Sequence, residues 1–153
     1  MDDRYAAGLF DGEGCIRIAR WKKPNSRHVR YQLYMSLGVT HRPVIEALQA
    51  KYGGSVNMNR HDLRSKKNRI QFTWNVSSQL GAAFLRRIQK HLIIKLDEVD
   101  VALALQDHID TNPYKQVGPV AMRDDHKKII AYREKLFQKI TVLKKRSWPP
   151  LTT

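Results

Sequence analysis

The sequence predicts an α+β domain in the order αββαββα, with extra helices on its C-terminal side. Three observations predict it. Strand-like segments come as two pairs, each joined by a basic or charged turn. Residue character alternates along them, most cleanly in Arg69-Ile70-Gln71-Phe72-Thr73-Trp74-Asn75-Val76. Prolines, glycines and small capping residues bracket the helix-length stretches between and after the pairs. A chain of 153 residues suits one domain with a real core, assigned to residues 1–147, with 148–153 a short tail after Pro149-Pro150.

The elements follow in order. Asp2 or Asp3 caps a first helix over residues 4–11. Residues 15–21 read as a strand, 22–27 as a basic hairpin tip around Pro24, Asn25 and Ser26, and 29–40 as the return strand. Pro43 stands near the start of a helix that ends before Gly53-Gly54, the usual proline-in, glycine-out asymmetry. A third strand covers 55–60, a charged turn 61–68, and a fourth strand 69–76. Ser77 or Ser78 then caps a helix to residue 89, followed by helices over 95–109 and 120–144.

The balance of 28 Lys and Arg against 14 Asp and Glu gives a net charge of +14, which favours a polyanionic partner and nucleic acid above others. The single cysteine, Cys15, excludes an internal disulfide, fits a reducing compartment and leaves no Cys/His set for zinc. No signal peptide, Arg-rich transit segment or long apolar run points to secretion or to a membrane. The expected location is intracellular, in a prokaryotic cytoplasm or an organelle.

The most informative stretch is Tyr5-Ala6-Ala7-Gly8-Leu9-Phe10-Asp11-Gly12-Glu13-Gly14. Gly8 and Gly12 lie four apart, so they bare the backbone on one helical face. Glycine costs about 1 kcal/mol against alanine in a helix, and close approach of a second helix is the best reason for two of them on one face. Glu13 comes where that helix ends. Two such helices side by side bring two Glu13 carboxylates together, an arrangement suited to a bridging divalent cation.

Residues 6–14 resemble the signature of the LAGLIDADG homing endonucleases. They keep both glycine-or-alanine helix positions, both acids and the closing glycine; Ala6 replaces the first leucine and Glu13 the last aspartate. The αββαββα order matches that family's core over about residues 5–110. The resemblance implies a saddle-shaped sheet with helices on its convex face. The motif occurs once, which in the family implies a homodimer meeting through Tyr5, Gly8 and Gly12. It further implies Mg2+ as cofactor, with Mn2+ or Ca2+ able to occupy the site.

Alternation assigns the faces of the sheet. Ile16 and Ile18, then Leu33, Met35, Leu37 and Val39, then Ile70, Phe72, Trp74 and Val76 are expected inward. The open face then carries Arg17, Ala19, Trp21 and Lys23; Gln32, Tyr34, Ser36 and Gly38; Ser55, Asn57 and Asn59; and Arg69, Gln71, Thr73 and Asn75. It is rich in amide and guanidinium groups and poor in acids. Amides pair with adenine and guanidinium with guanine in a major groove wide enough for a β-ribbon. Lys22, Lys23, Arg27 and Arg30 at one tip, and Arg64, Lys66, Lys67 and Arg69 at the other, are placed for phosphates; Lys144-Lys145-Arg146 serves either phosphates or a solvated helix end.

The chemistry assigned by resemblance is metal-assisted phosphodiester hydrolysis in double-stranded DNA. Glu13 is the metal ligand and the Gly12 carbonyl an extra one. Lys95, a cation in the apolar run His91-Leu92-Ile93-Ile94-Lys95-Leu96, takes the place of the family's lysine; the alternative is a pair with Asp97, Glu98 or Asp100. His41 follows Val39-Thr40 where the family places a polar residue, often glutamine, and serves water positioning or merely the start of a helix. The family's first acid is mostly structural, so Asp11 stays outside the catalytic set. The expected activity is an intron-encoded endonuclease cutting a long near-palindromic site. A maturase-like splicing cofactor bound to its own intron RNA, or a silent DNA-binding protein, are the alternatives on the same fold.

Overall fold

Asp2 opens the first helix as a side-chain cap, its carboxylate accepting the Tyr5 N–H at 2.7 Å. The helix, α1 (Asp3–Glu13), runs two residues past its expected end, and β1 (Gly14–Lys22) begins with no linker residue. Gly14 is what permits this. A Cβ there would lie 2.4 Å from the Phe10 ring and 2.5 Å from the Phe10 carbonyl oxygen. The glycine is required by close approach, since its φ of −77° suits any residue.

The computed structural model describes residues 1–22, 24, 29–59, 70–113 and 124–145. After β1 come β2 (Val29–Val39), α2 (Arg42–Tyr52), β3 (Ser55–Asn59), β4 (Gln71–Ser77) and α3 (Ser78–Ile88). A 3-10 turn at Gln89–His91 leads to α4 (Leu96–Thr111), and α5 (Asp124–Lys144) closes the described chain. The order is the αββαββα expected, with α4 and α5 as the further helical material. The sheet is antiparallel throughout, in the order β1-β2-β4-β3. The expected tail at 148–153 lies outside the described residues.

The core lies between the sheet and the helices. Ile16, Leu33, Met35, Leu37 and Trp74 are fully buried from the sheet side, and Phe10, Ile45, Leu48, Phe84 and Val99 from the helices. Phe84 of α3 is the hub: Phe10, Tyr52 and Trp74 meet it edge-on with ring centroids at 5.3, 4.9 and 4.9 Å. The Trp74 indole is satisfied by donating to the Gly53 carbonyl at 2.7 Å. Gly53 and Gly54 both have positive φ, the conformation that lets the chain leave α2 and turn at once into β3.

Two expected placements fail. Ile70, assigned to the inward row, is 48% exposed and lies outside β4. Among the described residues the pairing reaches Gln71 with Asn59 and Phe72 with Met58 and Val39, and none pairs with Ile70. Asn75, assigned to the open row, is buried. It sits between Ser36 and Ser55 on a central strand, and the Tyr34 hydroxyl donates to its Oδ1 at 2.6 Å. Phase alone cannot show a neighbour folding over a residue.

Two polar clusters tie the helices down. Asp3 of α1 takes Lys51 at 2.8 Å, the Tyr52 hydroxyl at 2.6 Å and Arg87 at 3.2 Å, joining the start of α1 to α2 and α3. At the other end Glu134 of α5 accepts the Tyr31 hydroxyl and pairs with Arg20 of β1 at 3.0 Å.

Candidate nucleic-acid and metal site

The end of α1 gathers the groups the sequence singled out. Glu13 is its last residue, exposed, and its carboxylate makes no hydrogen bond or ion pair among the described residues. Gly12 stands one residue earlier, in the turn whose carbonyls have no helical N–H to accept. Lys95 is brought to this same end. It occupies the N-cap position of α4, and its ammonium donates to the Asp11 main-chain carbonyl. Asp11 is buried, and its carboxylate accepts the main-chain N–H groups of Ile93 at 2.6 Å, Ile94 at 3.0 Å and Lys95 at 3.1 Å. His41 caps α2 by backbone position, exposed and without a side-chain capping bond. Because Gly14 pairs with Leu37, the chain running on from β2 to His41 leaves the sheet at the end where Glu13 enters it.

No cluster of three or more His, Cys, Asp and Glu suited to a metal occurs among the described residues. A hard divalent cation takes six or more oxygens, so one chain offers a fraction of such a set: the free Glu13 carboxylate and the Gly12 carbonyl. These donors are of the right chemistry, and a second copy would double them.

One face of α1 is bare. Tyr5 is 57% exposed, and a Cβ built on Gly8 or Gly12 would meet nothing within 4 Å. Sequence reasoning missed the apolar residues beside it. Ile93 and Ile94 are 84% and 65% exposed, although their N–H groups are held by Asp11, and Leu96 is exposed next to them. The signal was the apolar run 91–96, but nothing local separates Leu92, which is buried, from Ile93, which is not.

The strand register places the polar face as a continuous surface. Arg17 lies opposite Tyr34, with its guanidinium over the ring at 4.1 Å, Ala19 opposite Gln32, and Trp21 opposite Arg30. Ser36 meets Asn75, Gly38 meets Thr73, and across β4 Asn75 meets Ser55, Thr73 meets Asn57 and Gln71 meets Asn59. Arg17, Trp21, Arg30, Ser55 and Asn57 are exposed; Ala19, Gln32, Tyr34, Ser36, Gly38, Gln71 and Thr73 are half-buried. Gln32 already donates to the Ser78 hydroxyl at 2.9 Å, and Tyr34 to Asn75, so these two are less free than the alternation implies. Lys23, Arg27, Arg64, Lys66, Lys67, Arg69 and Arg146 lie outside the described residues. At the β1 edge the Lys144 ammonium donates to the Cys15 Sγ at 3.0 Å, bringing the basic end of α5 beside this face.

A four-stranded antiparallel sheet in the order β1-β2-β4-β3, built by αββαββα and entered from a glycine-faced helix that ends in an acid, is the fold of the LAGLIDADG homing endonucleases. This chain has that fold. It is similar to the archaeal intron-encoded homing endonuclease I-Vdi141I complexed with DNA, with a TM-score of 0.73 and 14% identity over 98% of this chain and 88% of that one. It is similar to the homing endonuclease I-CvuI, solved with its target in the presence of calcium, at a TM-score of 0.71 and 12% identity over 97% and 85% of the two chains. Against the LAGLIDADG homing endonuclease I-GzeII in complex with its DNA target the TM-score is 0.65 and the identity 13%, over 90% of this chain and 44% of that one. No family model and no curated protein matches the sequence.

Proposed function

We propose that this chain is an intron-encoded, site-specific homing endonuclease that makes a metal-dependent double-strand cut in a long near-palindromic DNA target, acting as a homodimer. One observation carries this: an uncommitted carboxylate, Glu13, ends a helix whose glycine face is bare. Two helix glycines cost about 2 kcal/mol in propensity against alanine, and nothing among the described residues uses the space they leave. A second α1 packed there offsets that cost and sets two Glu13 carboxylates face to face. Tyr5, Gly8 and Gly12 are the proposed seam, with Ile93 and Ile94 flanking it as exposed apolar surface in need of cover.

Glu13 from each subunit, with the Gly12 carbonyl, would hold Mg2+, or Mn2+ or Ca2+ in its place. The bound ion would supply charge neutralisation and a more acidic water. Lys95 places a positive charge beside that end of α1 for the phosphate, and His41 is proposed to orient water. The polar sheet face is proposed to lie in the major groove. Arg17, Arg30, Asn57 and Gln71 suit base edges there, and Lys22 and Lys144 suit phosphates.

The test uses the rejoined sequence flanking the gene's insertion point, cloned in a plasmid. Wild-type protein in magnesium should linearise it, whereas Glu13→Gln protein, or wild type in EDTA, should leave it intact while still binding it. Binding without any cut by wild type would move the assignment to the silent DNA-binding protein, and preferential binding of the intron RNA to the maturase.

A further inference from the structure

We infer that Asp11 is a positioning residue for cleavage: its carboxylate fixes where Lys95 stands against the Glu13 end of α1. This rests on the endonuclease reading above. Lys95 belongs to a segment, residues 92–95, that lies between the 3-10 turn and α4 and has no helical ladder of its own. A lysine stem is long and flexible, so its ammonium stays in one place only if its backbone is held and its head has an acceptor. Asp11 supplies both. Its Oδ2 takes the N–H of Ile93 and Ile94 and its Oδ1 takes the N–H of Lys95, three successive donors converging on one buried carboxylate. Its own carbonyl takes the Lys95 ammonium in return. The two residues are thus linked twice, and Asp11 stands two positions before Glu13 in the same helical turn.

The chemistry explains why an acid is needed there. Both oxygens act only as acceptors, and all three bonds use that capacity. Asparagine has the same shape but turns an NH2 group toward an N–H. One donor then faces another, and the segment carrying Lys95 loosens while Phe10 and the rest of the core keep their packing. A reacting group displaced by about 1 Å costs on the order of 100-fold in rate.

The test compares full-length wild type, Asp11→Asn, Lys95→Met and the double variant on the cleavable plasmid under single turnover. DNA binding is measured in calcium, and amide hydrogen exchange is followed at residues 93–95. Asp11→Asn should cut about 10- to 100-fold more slowly with unchanged DNA affinity, and the amides of Ile93, Ile94 and Lys95 should exchange faster. In the Lys95→Met background the same change should cost nothing further, because the effect runs through Lys95. Should Asp11→Asn fail to fold, Asp11→Glu replaces it, keeping both oxygens one methylene further out, with a slower cut and the same lack of further loss. Equal losses in both backgrounds, or no loss in either, overturn the inference while leaving the endonuclease standing. A wild-type protein that cuts no DNA overturns the endonuclease reading and this inference with it.

Discussion

Gly8, Gly12 and Gly14 share one short stretch yet answer to different constraints. Gly14 is held by its own fold, because any Cβ there collides with the Phe10 ring and carbonyl. Gly14→Ala should therefore destabilise the chain by about 2 kcal/mol as overpacking against backbone that cannot move aside, read as a lower urea midpoint with unchanged slope. The role proposed for Glu13 can be read from sequence because its pattern is local: a helix, two glycines and an acid within six residues. The bonds of Asp11 cannot. Its three bonds reach 82 to 84 residues along the chain, and no local pattern carries such a contact. The same limit explains Ile93 and Ile94, which look like core in sequence and stand in solvent in the structure.

At the scale of elements, α1 has two unlike sides. Its buried side, Ala6, Ala7 and Phe10, packs into the core, while Gly8 and Gly12 leave the opposite side flat. Gly8→Leu separates them. Leucine favours helix by nearly 1 kcal/mol over glycine, and its Cβ meets nothing within 4 Å among the described residues, so the lone chain should melt no lower than wild type. The proposed dimer should be lost, seen as a halved mass in sedimentation at micromolar protein. A Gly8→Leu chain that stays dimeric would place the seam elsewhere. The alternation of the strands was read correctly through β1 and β2 because their inner rows, Ile16 and Ile18, Leu33, Met35 and Leu37, are buried. Ile70 is exposed where the alternation expects it inward, and Asn75 keeps the expected face but is buried there, bonded to the Tyr34 hydroxyl.

The whole molecule depends on polar joints that respond to pH. His108 of α4 accepts the Nε of buried Arg133 at 3.2 Å through its Nδ1, which requires that nitrogen to be unprotonated. Burial, then the Arg133 charge, hold its pKa below the ordinary 6.5. Below about pH 6.5 the unfolded chain therefore takes up a proton that the folded chain refuses, and stability falls as pH falls. Melting temperature should drop as pH is lowered from 6.5 toward 5, and His108→Gln should flatten that slope. The Asp3 carboxyl is held well below its usual range by Lys51, Tyr52 and Arg87, and Glu134 is held low by Tyr31 with Gln138 and Arg20. Their contribution is present above the ordinary carboxylate range and is lost only in stronger acid, so the slope of His108 comes first.

The absence of any linker between α1 and β1 has a consequence for the proposed enzyme. Glu13 and β1 are consecutive in a continuous backbone, so under the proposed function helix and strand would form one stiff ruler from scissile bond to first base contact. Substitutions on the strand can change which bases are favoured while leaving the cut at the same number of steps from them. A one-residue insertion between Glu13 and Cys15 would do two things together. It would lengthen the ruler, and it would turn each β1 side chain to the opposite face. Drift toward a new target should therefore proceed by substitution, with the spacing of the cut inherited unchanged.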